Sequence, residues 1–327
     1  MSGGSCCGPG RDALGGDGDV SLPEPAASGP EEARGRHTVA QVAVPAGTFA
    51  MGDAHGDENV GDGETPVHDV TMSAFEIDAH SLTNDDFARF VEDTGFVTEA
   101  ERFGYSAVFH LALRARHDEV MQPVPGTPWW MGVRGADWRH PGGSQSDLDG
   151  LGDHPVVHVS WNDAVAYCEW AGRRLPTEAQ WERAARGGMP SARFPWGDDL
   201  LDAAGEWQCN IWQGEFPTRN DETDGFIATA PWDAFSPNGF GAHQMVGNVW
   251  EWCADWFNPR TYELRVRSGA TTDPTGPKFG QTRVMRGGSY LCHDSYCNRY
   301  RNAARTGNTP DSSTGNTGFR TVGMDPF

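Results

Sequence analysis

The sequence predicts an α+β protein with little regular secondary structure, folded as one loop-rich domain. Its 327 residues include 42 glycines, 22 prolines and 13 tryptophans, so turns are fixed by glycine and proline while large rings supply buried area. Helical periodicity is confined to segments between residues 83 and 187. No repeat period or Pro/Ser-rich linker divides the chain after residue 36. We therefore expect a single domain over residues 37–327.

Residues 1–36 are predicted to be a disordered leader. The segment consists mainly of Gly, Pro, Ala, Ser, Glu and Asp, and this composition buries too little apolar surface to offset the entropy of ordering. Cys6 and Cys7 lie inside it. They are either incidental or an exposed redox handle.

The folded part opens with a pair of short strands on either side of Pro45-Ala46-Gly47. Val42, Val44 and Phe49 alternate imperfectly with small or polar residues, as expected for half-buried strands. Proline and glycine suit the corner between the two strands.

The first predicted helix begins at Thr83, a plausible N-cap. Phe87, Phe90 and Val91 follow at i, i+3 and i+4 spacing, which places them on one helical face. Gly95 is placed to end the helix, because glycine adopts the left-handed conformation common at helix C-termini.

Two more helices follow closely on each other. One runs from Ser160 to Gly172, and the next starts at a capping box formed by Thr177 and Gln180 and closes at Gly187. Beyond Gly187 the sequence is punctuated by turns, and no further helix is predicted. A few helices packed on small antiparallel sheets are therefore expected.

Charge narrows the range of partners. Lys and Arg number 25 against 46 Asp and Glu, a formal net charge of −21, which repels both a phosphate backbone and an anionic membrane surface. Neither an apolar run of about 18 residues nor a secretory signal pattern is visible. The sequence thus predicts a cytoplasmic protein with no nucleic-acid or membrane partner.

The seven cysteines are too few and too scattered for a disulfide framework. Cys292 and Cys297 are separated by four residues and accompanied by His293, Arg299 and Arg301. Two thiolates suit Cu(I), a soft ion that accepts low coordination numbers, and the neighbouring cations are expected to lower the thiol pKa values. The spacing alone is equally compatible with an inert core pair or a disulfide.

The surrounding sequence separates these alternatives. The segment GGSYLCHDSYCNRYR, followed by NTPDSSTGNTGFR, resembles the C-terminal signature of formylglycine-generating enzymes, the sulfatase-modifying factors. Supporting matches such as GTFAMGD, DGETPVHDV and NGFGAHQMVGNVWEW extend over nearly the whole folded region. The SWNDA and RLPTEAQWE blocks resemble a wider superfamily that has a C-type-lectin-like core, which the resemblance implies for this chain too.

The resemblance also implies an activity and the residues that carry it. Members of the family oxidise the cysteine of a C-x-P-x-R motif in an unfolded sulfatase to formylglycine, using O2 and copper. Cys292 and Cys297 match the cysteines that bind Cu(I), and Cys297 matches the one that forms a mixed disulfide with the substrate. Ser289 and Trp250 match residues that line the oxygen pocket. A monomer is expected.

The family also binds two calcium ions, and oxygen ligands from loops suit this ion. By resemblance the first ion is bound by Asn210, Asp224 and the carbonyls of Ile211 and Phe226. The second maps onto Glu251 with Gln244, Gly247 and Val249, largely through carbonyls. Singly, residues of these types more often form turns.

Several other residues are expected to be structural. The disulfide partner positions of secreted relatives are Ala185, Asn302 and Thr321 here, so Cys168 has no mate, which fits a reducing compartment. Cys209 and Cys253 are predicted to be buried and inert. The remaining candidates, predicted to be hydrogen-bonded polar residues rather than catalytic groups, are Arg186, His158 and His68.

Two other classes of function compete with the oxidase. One is a non-catalytic lectin-like binding module whose loops are organised by calcium. The other is a metal-free thiol-disulfide switch at Cys292 and Cys297. The first does not need the cysteine pair, and the second predicts no oxygen consumption with a sulfatase peptide.

Overall fold

The computed structural model describes residues 8–14 and 35–324. Residues 8–14 depart from the predicted disordered leader: they contain a 3-10 turn over Arg11–Leu14 in which both named residues are buried. The composition of the leader does not reveal this, because one apolar side chain and one arginine suffice to anchor a short segment on a surface that fits them. Cys6 and Cys7 lie outside the described residues, as do the other residues of 1–7 and 15–34.

The strands of the described chain form five small sheets, and only one pairing is parallel. β1 to β13 are Gln41–Val44, Gly47–Met51, His68–Met72, Phe75–Asp78, Tyr105–Phe109, Val120–Val124, Thr127–Arg134, Gly214–Glu215, Arg219–Asn220, Trp250–Trp256, Arg283–Arg286, Arg305–Asn308 and Thr317–Gly318. The sheets are β1-β4, β2-β3, β5-β7-β6, β8-β9 and β12-β11-β10-β13. The parallel pair is β10 with β13.

The two strands predicted around Pro45-Ala46-Gly47 are present, but they do not pair with each other. β1 pairs antiparallel with β4, and β2 pairs antiparallel with β3. The corner therefore passes the chain from one sheet to another instead of closing a hairpin.

The three predicted helices are confirmed. α1 spans Asn84–Thr94, α3 spans Trp161–Ala171 and α4 spans Glu178–Ala185. Each begins at its predicted cap, where the N-cap hydroxyl accepts the N3 backbone N–H and the N3 side chain reaches back. Gly95 and Gly172 end the first two in the left-handed conformation, whereas α4 ends before Gly187.

Two further helices are absent from the sequence prediction. α2 covers Glu99–Phe103, a single turn and a half, and α5 covers Thr261–Ser268. The expectation that no helix follows Gly187 is therefore wrong. The buried residues of α5 are Thr261, Tyr262 and Arg265, so it has no apolar stripe from which periodicity could be recognised.

The main core is aromatic and lies where α3 and α4 meet the four-stranded sheet. Trp181, Trp250, Trp252 and Phe319 are completely buried in it. Since β13 lies beside β10, residues just before β13 come close to Trp250. β11, which lies next to β10, leads directly into the loop that carries the cysteine pair.

The observed architecture is the single loop-rich α+β domain that the sequence predicts. Within the described residues, no helix has both the length and the apolar character needed to cross a membrane.

Candidate active site

The loop after β11 brings Cys292 and Cys297 together. Both side chains are buried, and the two thiols are in hydrogen-bonding contact. The backbone N–H groups of Tyr296, Cys297 and Asn298 all donate to the carbonyl of His293, at 3.0, 2.9 and 3.1 Å. This tight turn is the reason that a spacing of four residues places both sulfurs on one side of the loop.

Close backbone contacts hold the loop in place. A Cβ at Gly288 would lie 2.6 Å from the carbonyl oxygen of Arg299, so only glycine lets these two segments of the loop approach each other. The backbone N–H of Trp212, which lies outside this loop, donates to the Cys292 carbonyl at 3.1 Å. The Asn59 amide donates to the Cys297 carbonyl at 2.9 Å. Both cysteines are thus fixed through their own backbones.

Ser289 lies directly beside the cysteine pair. Its backbone N–H donates to the Cys292 sulfur at 3.3 Å. Its hydroxyl oxygen accepts the Asn316 side-chain amide at 2.9 Å and the Leu291 N–H at 3.3 Å. Because both of these neighbours are donors, the hydroxyl retains its own proton to donate.

A small cavity adjoins the two sulfurs. Its volume is about 10 Å³, which is room for one molecule the size of water. Trp250 is completely buried, and its indole N–H has no acceptor among the described residues. The residues that line the cavity are Trp129, Trp130, Phe216, Trp250, Ser289, Leu291, Cys292, Tyr296 and Cys297. The structure thus brings together all four residues predicted for catalysis.

The electrostatics of the pair differ from the sequence prediction. Burial raises the pKa of the Cys292 thiol well above its ordinary value, and the neighbouring Cys297 adds to this. The Ser289 N–H and the charge of Arg299 oppose the rise without overcoming it. The expectation that nearby cations depress this pKa is therefore wrong for Cys292.

The neighbouring cations are also engaged with other groups. The Arg299 Nε contacts the Asp62 carboxylate at 2.6 Å, and Arg301 makes a bidentate contact with Glu64 at 2.7 and 3.0 Å. The His293 ring points to the Ser295 hydroxyl at 2.7 Å. Sequence proximity to the cysteines did not reveal these partners, because the carboxylates come from residues 62 and 64.

Buried ion pairs brace the loop from behind. Glu178 of α4 accepts Arg305 at 2.6 and 2.8 Å and Arg286 at 3.2 Å. Glu182 on the same helix pairs with Arg286 and with Arg186. All of these side chains are buried, so the network links α4 to both β11 and β12.

The cysteine pair meets the chemical requirements of a two-sulfur copper site. It offers two soft donors in contact with each other in a buried position, and thiols that lose their protons on binding a metal. Among residues 8–14 and 35–324 there is no group of three or more His, Cys, Asp and Glu side chains arranged to hold a metal. A four-ligand zinc site is therefore not formed there.

The first predicted calcium set also fits a cation. The Asn210 side-chain oxygen is buried without a hydrogen-bond partner. Asp224 lies nearby, accepts the N–H groups of Ile211 and Phe226 at 3.1 and 3.0 Å, and has a pKa raised by burial. An orphaned oxygen and a desolvated carboxylate are both stabilised by a hard cation.

The carboxylate of the second predicted calcium set already has hydrogen-bond and ion-pair partners. This set consists of Gln244, Gly247, Val249 and Glu251. The Gln244 side-chain oxygen is buried without a partner. The Glu251 carboxylate, in contrast, accepts Ser81 at 2.6 Å, Trp181 at 2.7 Å and two nitrogens of Arg320 at 2.7 Å each. Its charge is balanced and its oxygens are occupied, so as arranged the set has no free charge to offer a second calcium ion.

The residues predicted to be structural are so. Cys168, Cys209 and Cys253 are buried thiols whose pKa values are raised by burial. Both ring nitrogens of His158 have partners, at 2.7 and 2.9 Å. Arg186 pairs with Glu182, and His68 contacts the Pro66 carbonyl at 3.0 Å.

Sequence reasoning missed an aromatic wall and one polar residue at the site. The rings of Tyr296 and Phe216 stack with centroids 4.2 Å apart, and Trp129 meets Tyr296 edge-on at 5.0 Å. Asn316 holds the Ser289 hydroxyl. Tyr296 and Asn316 lie inside the segments that carry the resemblance, which is the signal that could have found them. Phe216 also lies in a segment that carries the resemblance, NIWQGEFP, whereas Trp129 is remote in sequence and carries no such signal.

The fold and the buried cysteine pair define a protein of the sulfatase-modifying-factor class. The family described as "Sulfatase-modifying factor enzyme 1-like domain" matches residues 26–324, and the chain belongs to this family. Its match begins inside the predicted leader.

Comparison with individual proteins gives a more specific result than the family match. The chain is 58% identical over 304 residues to the formylglycine-generating enzyme of Streptomyces coelicolor, covering 92% of this chain and 95% of the relative. It is 53% identical over 287 residues to the formylglycine-generating enzyme of Thermomonospora curvata, covering 88% and 93%. Among solved structures, PvdO from Pseudomonas aeruginosa matches with a TM-score of 0.63 at 22% identity, over 92% of this chain and 99% of that one. This last likeness concerns the fold alone.

Proposed function

We propose that this chain is a copper-dependent oxidase that converts the cysteine of a C-x-P-x-R motif in an unfolded sulfatase polypeptide to Cα-formylglycine, with O2 as the acceptor. The observation that carries the proposal is the contact between two buried thiols next to a small cavity. The names of the two bacterial relatives support formation of formylglycine.

Cys292 and Cys297 are assigned to hold Cu(I), and Cys297 to meet the substrate sulfur. Copper, when bound, supplies the one-electron chemistry that activation of O2 requires. Oxidation of the substrate Cβ removes two electrons and releases its sulfur as H2S, whereas reduction of O2 to water takes four electrons. The other two must come from a thiol reductant supplied with the substrate.

The surrounding residues control what enters the site. Trp250, Trp130 and Leu291 form an apolar lining that excludes water from the reacting atoms. The Ser289 hydroxyl and the Trp250 indole N–H are donors available to charge that develops in the cavity. The half-buried rings of Tyr296 and Phe216 supply the contact surface for an extended peptide.

Calcium is proposed at the first set only. A cation at Asn210 and Asp224 would organise the segment that contains Trp212, whose N–H holds the Cys292 carbonyl. The occupied carboxylate of Glu251 does not favour a second ion there.

We also propose that the protein acts as a monomer in the cytoplasm. Three buried cysteines, Cys168, Cys209 and Cys253, remain thiols, which suits a reducing compartment. The net charge of −21 suits a soluble protein that is repelled by other acidic polymers.

The proposal is tested by loading the protein with Cu(I), adding a C-x-P-x-R peptide and a thiol reductant under air, and following the peptide by mass spectrometry. The expected product has lost sulfur and gained an aldehyde, and a peptide with serine in place of its cysteine stays unchanged. Absence of product with copper shown to be bound would overturn the oxidase. Cycling of the two cysteines without oxygen consumption would favour the thiol switch instead.

A further inference from the structure

Residues 8–14, here called the strap, lie on the outer side of the segment 308–316. The Asn308 side-chain amide donates to the carbonyls of Gly8 and Pro9 at 3.2 and 3.4 Å. The predicted disorder of the leader thus gives way to a docked segment at this point, far along the chain from its partner.

Arg11 makes hydrogen bonds to the segment 308–316 and a contact with an aromatic ring. Its guanidinium donates twice to the Asp311 carbonyl, at 2.9 and 2.6 Å, and its backbone N–H donates to the Ser312 hydroxyl at 3.0 Å. The guanidinium carbon also lies 3.4 Å from the centre of the Phe103 ring, within the range of a cation–π contact. The side chain is 7% exposed, so these contacts are largely shielded from water.

Leu14 anchors the other end of the strap. It is 8% exposed and belongs to an apolar cluster that includes Tyr105, Trp130 and Leu291. Trp130 and Leu291 also line the cavity beside the cysteine pair. One apolar cluster therefore joins the strap to the wall of the site.

Hydrogen bonds also connect the segment under the strap to the cysteine site. The segment under the strap is held on its inner side, where the Ser106 hydroxyl donates to the Ser313 carbonyl at 2.9 Å and the His158 N–H donates to the Thr314 carbonyl at 2.9 Å. Asn316, at the end of this segment, donates to the Ser289 hydroxyl. The segment 308–316 is thus a layer between the strap and the site.

From these contacts we propose that the strap is a positioning element of the cysteine site, with Arg11 and Leu14 as its positioning residues. It keeps the layer 308–316 and the Trp130 wall closed over Cys292 and Cys297, and so limits how often the two thiols become accessible. The effect on turnover rests on the proposed oxidase function, whereas the effect on thiol accessibility does not.

The test measures local opening with a small alkylating reagent, iodoacetamide, on the full-length metal-free protein. Labelling of each cysteine is followed over time by peptide mass spectrometry, with Cys168, Cys209 and Cys253 as internal references. Arg11→Gln and Leu14→Ala are compared with Asp12→Asn, a matched control because Asp12 lies in the same turn but is exposed. Rates measured this way report the population of locally opened states.

We expect Arg11→Gln and Leu14→Ala to speed labelling of Cys292 and Cys297 by about 10-fold, while Asp12→Asn and the three reference cysteines stay within about twofold of the parent. Arg11→Lys, which keeps the charge but not the planar fork, should fall between. Faster labelling of all five buried cysteines would mean that the whole fold is destabilised and would overturn the proposal. So would unchanged labelling of the pair in both strap variants.

Turnover is measured separately on the copper-loaded variants. A strap that positions the site should lower kcat in Arg11→Gln and Leu14→Ala more than it changes the KM for the peptide, with Asp12→Asn at parental values. If the parent shows no oxidase activity but the labelling pattern holds, the proposed function fails and the strap stands. If the parent is active but labelling is unaltered in the variants, the proposed function stands and the strap fails.

Discussion

Two buried polar regions adjoin along β11 and the loop that follows it, and they are built in opposite ways. On one side the charges of Glu178, Glu182, Arg286 and Arg305 are mutually paired. On the other side the Cys292 thiol has a raised pKa and the Trp250 indole N–H has no acceptor among the described residues. A polar group is costly to bury without a partner. The paired region therefore acts as scaffold, and the incompletely paired region is where a ligand would supply what is missing.

The largest effect is expected from removing a sulfur on the incompletely paired side. Cys292→Ser and Cys297→Ser should each lower turnover of the C-x-P-x-R peptide by roughly 10³-fold or more, because each removes a soft ligand that no neighbour can replace. Copper binding, measured by competition with a Cu(I) chelator, should fall in parallel while the unfolding midpoint changes little. Cys253→Ser is the control: it alters a buried thiol outside the site and should keep turnover. Equal losses in all three variants would contradict the assignment.

The next effect concerns the paired side. Glu178→Gln leaves Arg286 and Arg305 short of a buried counter-charge and should cost about 3–5 kcal/mol of unfolding free energy, measured by denaturant titration. The pKa of Glu178 is lowered to about 2 by the two arginines, from an ordinary value of 4.5. Its contribution is therefore complete above pH 4.5 and lost as the pH falls toward 2. Glu263→Gln, at an exposed ion pair, should leave the unfolding midpoint unchanged.

A calcium titration sharpens the same contrast at the two predicted ion sets. Calcium should raise the unfolding free energy by about 2.7 kcal/mol at 100 times its Kd, and Asp224→Asn should abolish this response. Glu251→Gln should lower stability without removing the response, because that carboxylate is already paired with Arg320. The opposite pattern in thermal unfolding with and without a chelator would show that the ion binds at Glu251.

The smallest effect comes from an exception within the scaffold. Asp163, the N3 residue of the capping box of α3, faces the carboxylate of Glu99, and burial together with this neighbour raises its pKa to about 7 from 3.8. Stability contributed by the protonated form is present at low pH and lost as the pH rises from about 4 through 7. Asp163→Asn should therefore lessen the loss of unfolding free energy between pH 5 and pH 7.5 by about 2.5 kcal/mol. Asp86→Asn, in the equivalent capping box of α1, should leave that difference as in the parent.

The sequence predicts the elements whose signals are local. α1, α3 and α4 each combine a capping box with buried residues at helical spacing, and both signals lie within a dozen residues. The cysteine pair is equally local, but its spacing alone left an inert pair and a metal site equally open. The resemblance of the surrounding segments made the difference.

What the sequence does not predict depends on distant partners. The rise in the pKa of Cys292 follows from burial and from the neighbouring Cys297, and the adjacent arginines are paired with acids at residues 62 and 64. The occupied state of Glu251 follows from Ser81, Trp181 and Arg320. The strap depends on contacts across about 300 positions of the chain. No local pattern encodes such pairs.

The cavity of about 10 Å³ beside the sulfurs has a further consequence, which concerns selectivity among oxidants and thiols. This cavity has room for one molecule of about the size of water, whereas glutathione, a tripeptide, is far too large to occupy it. The cavity therefore admits a small oxidant but not a soluble disulfide. The aromatic residues that line it thus favour reaction of the two cysteines with small oxidants over exchange with bulky soluble disulfides.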